Sequence, residues 1–528
     1  MSPRVLVSER LAPRGLDAMR AAGLEVDERL GLTPDELLEA VPGAAALVIR
    51  SATQVTAEVL EAGSDLVVVG RAGIGLDNVD VEAATQLGVM VVNAPQSNIL
   101  SAAEHTIALL LAQARNVTRA DADLKAGEWN RSRWEGVELH GKTLGIIGLG
   151  RVGLLVAQRL LAFGMQLIAY DPYVSEDRAR QLGVRLVPDL EELVRQADFA
   201  TVHLPKTPET LGLIGAELLT HAKPTLRIVN TARGGIIDEA ALADAVREGR
   251  IAGAALDVFE HEPTTESPLF ELDNVVVTPH LGASTGEAQD KAGQTIAEQV
   301  ILALRGEFVP YAVNVAAKEA NATVQPFLPL AERLGRLYIV LAGSAASSLE
   351  VEYEGEIGDY DCRVLTLAIL KGALGAVVDE PVSFVNAPQI AKARGLEVRE
   401  TTATATADFV NLVSLRGQVG DRTVEVAGTL LGMQARPRIV RINGHSVDVP
   451  PSSHMLVVRN ADTPGMIGRV GTLLGEAGVN IADMDVGTND EGEAALMVLS
   501  TYSPVPTEVV DSLLAVDGII EAEAIELD

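Results

Sequence analysis

Residues 142–172 read KTLGIIGLGRVGLLVAQRLLAFGMQLIAYDP. The apolar run Leu144–Ile147 predicts a buried parallel strand, and the glycine-rich segment GLGRVG follows it at 148–153. A segment with helical periodicity then continues to Phe163, and a second strand at Leu167–Tyr170 presents Asp171 at its end. The stretch therefore predicts a strand, a glycine loop, a helix and a second strand that ends in an acid.

The three glycines of this loop suit a dinucleotide. Such glycines permit a tight turn, a close approach of the backbone to a pyrophosphate, and close packing of helix on strand. The pyrophosphate would lie on the N–H groups at the helix start, where the helix dipole favours negative charge. Asp171 lies where a carboxylate accepts a hydrogen bond from the ribose 2′-OH, which favours NAD over NADP. A glycine motif alone is weak, and the alternative is an α/β crossover that binds no nucleotide. The complete unit in register favours a Rossmann domain.

Composition limits the class of protein. A chain of 528 residues predicts about three or four domains. The net charge of −31 argues against nucleic acid and anionic membranes as partners, although a local arginine cluster could still bind an anionic substrate. The single cysteine, Cys362, excludes an intramolecular disulfide framework and fits a reducing cytosol. With no signal pattern and no long apolar run, we expect a cytoplasmic protein.

Residues 1–97 alternate short apolar strands with helical segments, which predicts an α/β fold with a parallel sheet. The predicted strands are Val5–Val7, Ala46–Ile49, Leu66–Val69 and Val89–Val92, and the predicted helices include Thr33–Ala40 and Val81–Leu87. Arg50 and Ser51 follow one strand, and Arg71 with the turn Gly73–Gly75 follows another. Because arginine offers a forked set of donors, these two strand ends suit an anion. Ordinary surface salt bridges are the alternative.

A long helix is predicted from Ser101 to Arg119, with a polar loop at Lys125–Trp134 before the glycine motif. Beyond Asp171 further strands continue the Rossmann sheet, among them Phe199–Leu204 and Arg227–Asn230. We expect His203 to lie beside the cofactor cleft, at the end of the first of these strands.

Three residues with catalytic potential follow strands of that sheet. Arg233 lies in NTARGG at 230–235, Glu262 in DVFEHEP at 257–263, and His280 in TPHLGA at 278–283. Oxidation of a 2-hydroxy acid requires a cation for the carboxylate, an imidazole for the hydroxyl proton, and a carboxylate to fix the imidazole. Taken singly each residue is more often structural, but their placement at one sheet edge favours an active site.

These motifs, in this order, make residues 1 to about 316 resemble the D-2-hydroxyacid dehydrogenases. The resemblance implies that Arg233 orients substrate, that Glu262 pairs with His280, and that His280 is the acid/base. It implies NAD as cofactor, no metal site, and cofactor contacts from Gly148, Gly150, Arg151, Val152, Gly153, Asp171, Thr207, Thr231, Ala232, Asp257, Gly282 and Ala283. It also implies a flavodoxin-like substrate domain at 1–97 and 285–316, with the Rossmann domain inserted at 98–284.

Residues 320–450 predict an intervening mixed α/β domain. Polar and apolar residues alternate at Ser348–Ile357, Thr423–Leu430 and Ile439–Val449, as in a half-exposed sheet, and Val364–Leu374 predicts a helix that carries Lys371. Arg436, Arg438 and Arg441 cluster near one strand. An anion site is one interpretation, and a solvated face is the favoured one.

Residues 453–528 predict a ferredoxin-like βαββαβ module that resembles the ACT regulatory domain. The strands are Met455–Arg459, Val479–Val486, Ala494–Ser500 and Ile519–Ile525, and the helices are Met466–Ala477 and Thr507–Val516, with a turn at Asn489–Gly492. The resemblance implies an amino-acid effector bound by Asp462 and Asn480 where two copies pair. The alternative for Asp462 is a helix cap.

The order of domains resembles the long-form members of the family, which act on 3-phosphoglycerate. That resemblance implies oxidation of 3-phosphoglycerate with NAD as the first step of serine biosynthesis, inhibition by L-serine, and a homotetramer. The implied substrate contacts are Arg50, Ser51, Arg71, Gly73, Gly75, Asn98 and Arg131, the last reaching a neighbouring subunit's site. Two alternatives stay open: a reductase of another 2-oxo acid such as glyoxylate or hydroxypyruvate, and a nucleotide-sensing binding protein of the corepressor type.

Overall fold

The computed structural model describes residues 2–315, 323–343, 348–378, 382–406, 408–420, 422–432, 434–488 and 494–527. Within these ranges the chain forms four β-sheets. Among the described helices, none combines the length and the apolar composition that crossing a membrane requires.

The first sheet is parallel. In chain order its elements are β1 (Arg4–Val7), α1 (Pro13–Ala21), β2 (Glu25–Glu28), α2 (Pro34–Ala40), β3 (Ala46–Ile49), α3 (Ala57–Ala62), β4 (Val68–Arg71), α4 (Val81–Gln86) and β5 (Met90–Asn93). The strand order β2-β1-β3-β4-β5 is the flavodoxin-like one, as predicted. Strand β2 was not predicted, because its residues EVDE have no apolar periodicity. Leu66 is buried but precedes β4.

The second sheet is also parallel, and the strand that precedes the glycine motif is one of its inner strands. Its elements are α5 (Ile99–Ala114), α6 (Val117–Lys125), β6 (Thr143–Ile147), α7 (Arg151–Leu161), β7 (Gln166–Tyr170), α8 (Glu176–Gln181), β8 (Val184–Leu186), α9 (Leu190–Gln196), β9 (Phe199–Val202), α10 (Ala216–Thr220), β10 (Arg227–Asn230), α11 (Glu239–Arg247), β11 (Gly253–Leu256) and β12 (Val275–Val277). The order β12-β11-β10-β9-β6-β7-β8 confirms the Rossmann prediction, with one strand added at the edge.

The single helix predicted from Ser101 to Arg119 is wrong. Asn116 adopts a left-handed backbone conformation, φ 53°, and separates α5 from α6. Asparagine tolerates this conformation better than most residues, so it can end one helix and begin the next. The loop predicted at 125–134 contains a short 3-10 turn, Arg131–Trp134.

The chain returns to the first sheet through α12 (Gly286–Leu304). This helix packs against α1 where two glycines meet, and a Cβ on Gly15 would lie 2.5 Å from the carbonyl oxygen of Gly293. Farther on, Ala312 forms an antiparallel bridge with Val92 of β5. The segment after the Rossmann sheet therefore packs on the first sheet.

The third sheet is mixed. Its elements are α13 (Leu328–Ala342), β13 (Ser348–Gly355), α14 (Arg363–Gly375), α15 (Ala387–Ala393), β14 (Glu397–Ala403), β15 (Asn411–Val419), β16 (Arg422–Leu431), β17 (Arg436–Ile442) and β18 (His445–Val449), in the order β14-β13-β15-β16-β17-β18. The alternating segment 439–449 belongs to this sheet as two strands. Asn443 and Gly444, with φ 47° and 78°, turn the chain between β17 and β18 as an Asn-Gly hairpin does.

The fourth sheet contains β19 (His454–Asn460), α16 (Met466–Glu476), β20 (Ile481–Thr488), β21 (Ala495–Thr501), α17 (Thr507–Leu514) and β22 (Ile519–Glu526). Its order β20-β21-β19-β22 is antiparallel and confirms the ferredoxin-like βαββαβ prediction. The turn predicted at Asn489–Gly492 lies outside the described residues.

Candidate active site

The candidate site lies where the carboxyl edges of the two parallel sheets meet. The loop after β4 contacts the loop after β10, because Arg233 Nε lies 3.3 Å from Asp77 Oδ2. A Cβ on Gly75 would lie 2.3 Å from Arg233 Nη2, so Arg233 occupies the space directly beside this glycine turn. Ligands of open α/β sheets gather at this edge.

His280 and Glu262 form a hydrogen-bonded pair in this cleft. The distance from His280 Nδ1 to Glu262 Oε2 is 2.5 Å, and the other carboxylate oxygen accepts the N–H of Phe259 at 2.8 Å. The side chain of His280 is 47% exposed, so its second ring nitrogen can reach a ligand. The pair predicted from the sequence is thus formed.

The pair shifts both titrations toward the charged forms. The hydrogen bond that His280 donates to Glu262 raises the pKa of His280, and burial opposes the rise. Burial on its own would raise the pKa of Glu262, but the hydrogen bonds from His280 and Phe259 outweigh it, so that pKa is lowered. The imidazole can therefore take a proton and keep it beside a carboxylate.

Arginines surround the glycine turn after β4. A Cβ on Gly73 would lie 1.8 Å from Arg71 Nη1, so the guanidinium lies directly against this glycine. Burial lowers the pKa of Arg71, Arg233 lowers it further, and Asp77 and Glu9 oppose the change. Among the described residues, Arg71 Nε is buried without a hydrogen-bond partner. An anion would stabilise this pair of cations.

Arg50 and Ser51 lie in the loop after β3, and the structure places them on the same edge of the sheet as Arg71. Asn98, at the start of α5, has a buried Oδ1 that accepts no hydrogen bond from the described residues. Arg131 is not brought to the cleft. It lies in the exposed 3-10 turn, whose Arg133 pairs with Asp273 ahead of β12, away from the carboxyl edge.

The glycine loop has the geometry of a phosphate site. Gly148 has φ 93°, and a Cβ on Gly153 would lie 2.2 Å from the carbonyl oxygen of Gly148, so both positions require glycine. A Cβ on Gly150 would meet nothing within 4 Å, which leaves open space at the start of α7. The first helical hydrogen bond is donated by Leu154. The N–H groups at 151–153 therefore remain available for a ligand.

Asp171 lies at the end of β7 and binds the glycine loop. Its two oxygens accept the N–H groups of Leu149, at 2.8 Å, and of Tyr173, at 2.9 Å. The carboxylate is half-buried and retains lone pairs for a ribose hydroxyl. The residues present fit NAD.

The remaining predicted cofactor residues lie in neighbouring loops. Thr207 is in the loop after β9, where its N–H is donated to Thr210 Oγ1 at 2.8 Å. Thr231 Oγ1 lies 2.6 Å from Thr106 Oγ1 of α5. Ala232 donates its N–H to Asn230, and the half-buried Ala283 follows Gly282 at the end of the loop after β12.

Asp257 organises the loop that carries His280. It is fully buried and accepts hydrogen bonds from Thr278 Oγ1 at 2.6 Å, Leu281 N at 2.7 Å and Gly282 N at 2.8 Å. His105 Nε2 of α5 lies 3.1 Å from the same carboxylate. Burial alone would raise the pKa of Asp257, but these hydrogen bonds lower it. The carboxylate thus stays charged under the cofactor cleft.

Two further buried residues, Asn230 and His203, support the loops around the cleft. Asn230 is buried and brackets the loop of Arg233, accepting Ala232 N–H and donating to Arg233 O at 2.9 Å. His203 lies under the glycine loop, as expected, and burial lowers its pKa to about 3. It is a neutral packing residue. An asparagine closing a strand was the available signal for Asn230.

The predicted effector residues lie at the surface of the fourth sheet. Asp462 and Asn480 are both exposed, on the segments after β19 and before β20. The N-cap of α16 is Gly465, which makes no side-chain capping bond. Asp462 therefore does not cap this helix.

The arginines of β17 face carboxylates. Arg438 pairs with Asp448 and with Asp483, each at 3.3 Å, and Arg441 pairs with Glu425 at 3.3 Å. Arg436 contacts Gln434. These contacts support the solvated face over the anion site.

Family models match three parts of the chain. Residues 107–282 match the NAD-binding domain of D-isomer specific 2-hydroxyacid dehydrogenases. Residues 323–443 match the D-3-phosphoglycerate dehydrogenase intervening domain, and residues 454–518 match the ACT domain.

Curated relatives cover the whole chain. D-3-phosphoglycerate dehydrogenase from Mycobacterium leprae is 49% identical over 99% of both chains. The enzyme of that name from Archaeoglobus fulgidus is 42% identical over 99% of this chain and 100% of its own, and the one from Bacillus subtilis is 39% identical over 99% of each.

Solved structures match somewhat more than half of the chain. The TT0316 protein from Thermus thermophilus is 37% identical, with a TM-score of 0.55 over 59% of this chain and 99% of its own. D-Lactate dehydrogenase from Aquifex aeolicus, complexed with NAD and lactic acid, is 26% identical, with a TM-score of 0.52 over 58% and 96%. The chain belongs to the D-3-phosphoglycerate dehydrogenase family, within the NAD-dependent D-isomer specific 2-hydroxyacid dehydrogenases.

Proposed function

We propose that this enzyme oxidises 3-phospho-D-glycerate to 3-phosphohydroxypyruvate, the first step of serine biosynthesis. The observation that carries the proposal is the cluster of Arg50, Arg71 and Arg233 beside the His280–Glu262 pair. A substrate with a phosphate at one end and a carboxylate at the other needs cations on both sides of its hydroxyl. The full-length relatives named D-3-phosphoglycerate dehydrogenase support the same substrate.

In the proposed reaction His280 takes the proton of the substrate hydroxyl on its exposed ring nitrogen. Glu262 holds the opposite nitrogen and stabilises the imidazolium that forms. Arg233 orients the carboxylate and polarises the carbon–oxygen bond under oxidation. NAD, when bound, supplies the acceptor for the hydride.

The same protein groups orient the two ends of the substrate. Arg50, Ser51 and Arg71 bind the phosphate, and the Gly73–Gly75 backbone with Asn98 binds the carboxylate end. The unpartnered Nε of Arg71 supports the phosphate role, because buried polar atoms normally have partners.

The glycine loop and the residues at the ends of neighbouring strands bind different parts of NAD. The N–H groups of residues 151–153 hold the pyrophosphate, with Gly148, Gly150 and Gly153 shaping the loop. Asp171 accepts the ribose hydroxyls, and Asp257 holds Gly282 and Ala283 against the nicotinamide end. Thr207, Thr231 and Ala232 line the cofactor cleft between these two parts.

We further propose that L-serine inhibits the enzyme through paired ACT domains, with Asp462 and Asn480 as its ligands. The exposure of both side chains supports an intersubunit site. A homotetramer, with Arg131 reaching the site of a neighbouring subunit, is part of the same proposal.

The proposed domain division is 1–97 with 285–316, 98–284, 320–450 and 453–528. It is supported by the four sheets, each of which falls within one of these segments.

The test is NADH formation followed by absorbance with 3-phosphoglycerate, D-glycerate, D-lactate and glycolate, each with and without serine. We expect the highest kcat/KM with 3-phosphoglycerate. Equal or better turnover of an unphosphorylated acid would indicate a different dehydrogenase, and NAD binding without turnover of any acid would indicate a nucleotide-sensing binding protein.

A further inference from the structure

The loop Arg50–Thr53, which follows β3, wraps around a carboxylate supplied by the chain itself. Glu9, two residues after β1, accepts the N–H of Arg50 at 2.8 Å, of Thr53 at 2.9 Å, and of Ala52 at 3.2 Å. Three backbone donors therefore converge on one side chain, in the manner of an anion-binding nest. No regular strand or helix would impose this loop shape.

A second side chain holds the same loop through its carbonyl groups. Asn78 is buried and donates from Nδ2 to the carbonyl oxygens of Arg50, at 2.8 Å, and of Thr53, at 2.6 Å. Glu9 thus accepts three N–H groups of the loop while Asn78 donates to two of its carbonyls. The neighbouring Ser8 also lies 2.9 Å from Thr53 through their hydroxyls.

The charge of Glu9 lies within the cationic cluster of the cleft. Burial and Arg233 lower the pKa of Arg71, and Glu9 is near enough to oppose that lowering. Arg50 also disfavours the charged form of Arg71, so the two cations repel. A carboxylate on the inner side of the loop offsets this repulsion and leaves the outer side for a ligand.

We propose that Glu9 is a positioning residue that sets the specificity for the phosphate end of the substrate. It fixes the Arg50–Thr53 loop before substrate binds, so that Arg50 and Ser51 need no ordering when the phosphate arrives. This inference rests on the proposed function, because it assigns the loop to the phosphate. Glu9 does not touch the reacting carbon, and kcat is expected to stay unchanged.

The test compares KM and kcat for 3-phosphoglycerate and for D-glycerate in the full-length enzyme. Glu9→Ala removes all three hydrogen bonds, and Glu9→Gln keeps an acceptor but loses the charge. Glu39→Gln is the matched control, because Glu39 is exposed on α2 and the substitution removes the same charge. A thermal melt and an NAD titration accompany each variant.

We expect Glu9→Ala to raise KM for 3-phosphoglycerate by about 10- to 100-fold, the scale of lost charge-assisted hydrogen bonds, with kcat unchanged. Glu9→Gln should give a smaller rise, and Glu39→Gln none. The kcat/KM for D-glycerate should not change. An equal loss for both substrates, or an unchanged KM for 3-phosphoglycerate, would overturn the inference. Where Glu9→Ala does not fold, the Glu9→Gln ratio decides. Failure of the wild-type enzyme to oxidise 3-phosphoglycerate would instead refute the proposed function.

Discussion

Replacing Glu262 by Gln removes the charge beside His280 while keeping the size of the side chain. The 2.5 Å contact is a charge-assisted hydrogen bond, a class that contributes about 1.5–3 kcal/mol. Both side chains are partly exposed, at 47% and 32%, so water weakens the interaction and the lower end applies. Because about 1.4 kcal/mol corresponds to tenfold in rate, we expect kcat to fall by about tenfold at high pH.

The pH profile gives the second part of the prediction. Oxidation requires neutral His280, so the rate rises as pH increases through the pKa of this residue. Glu262 raises that pKa in the wild-type enzyme, and its loss should therefore move the rising limb to lower pH. His280→Asn removes the acid/base altogether and should lower kcat by at least ~10²-fold while NAD binding persists.

The assay is NADH formation at saturating substrate across pH, with NAD affinity measured by titration. Glu260→Gln is the control, since Glu260 is an exposed acid in the same loop. A Glu262→Gln profile that keeps its wild-type rising limb, or turnover by His280→Asn near the wild-type level, would refute the assignment of the proton to this pair.

Three further changes test other parts of the molecule. Asp171→Ala should reduce the ratio of kcat/KM for NAD to that for NADP, because the ribose hydroxyls lose an acceptor and repulsion of a 2′-phosphate disappears; an unchanged ratio would limit Asp171 to holding the glycine loop. Gly153→Ala should cost about 1–3 kcal/mol of stability and weaken NAD binding, since its Cβ would lie 2.2 Å from the oxygen of Gly148, and a wild-type thermal melt would contradict this. Asp462→Ala and Asn480→Ala should leave turnover normal but weaken serine binding by about 10- to 100-fold in calorimetry, and undiminished affinity would exclude the effector assignment.

The Rossmann motif could be predicted because its signal is local. The strand, the glycine loop, the helix and the acid all lie within 142–172. The structure shows a steric requirement for glycine at Gly148 and Gly153. The His280–Glu262 pair was predictable because both residues follow strands of one sheet, whose carboxyl ends meet at one edge. Periodicity likewise sufficed for the ferredoxin-like module.

The features that could not be predicted from the sequence depend on contacts between distant segments or on single backbone conformations. Glu9 and Asn78 act on a loop more than 20 residues away, and neither belongs to a motif. The break at Asn116 needs one left-handed residue inside an otherwise helical pattern. The Asn443-Gly444 turn has a recognisable sequence signal, an Asn-Gly pair, but the apolar alternation continues on both sides of it.

We propose that paired arginines of the first sheet select a phosphorylated 2-hydroxy acid for oxidation by the His280–Glu262 pair. The most direct measurement is kcat/KM for 3-phosphoglycerate relative to D-glycerate in the wild-type enzyme and in Arg71→Gln. We expect a strong preference for 3-phosphoglycerate that falls by about 10- to 100-fold in the variant, because kcat/KM for the phosphorylated substrate decreases. A preference that Arg71→Gln leaves intact, or a wild-type enzyme that favours D-glycerate, would contradict it.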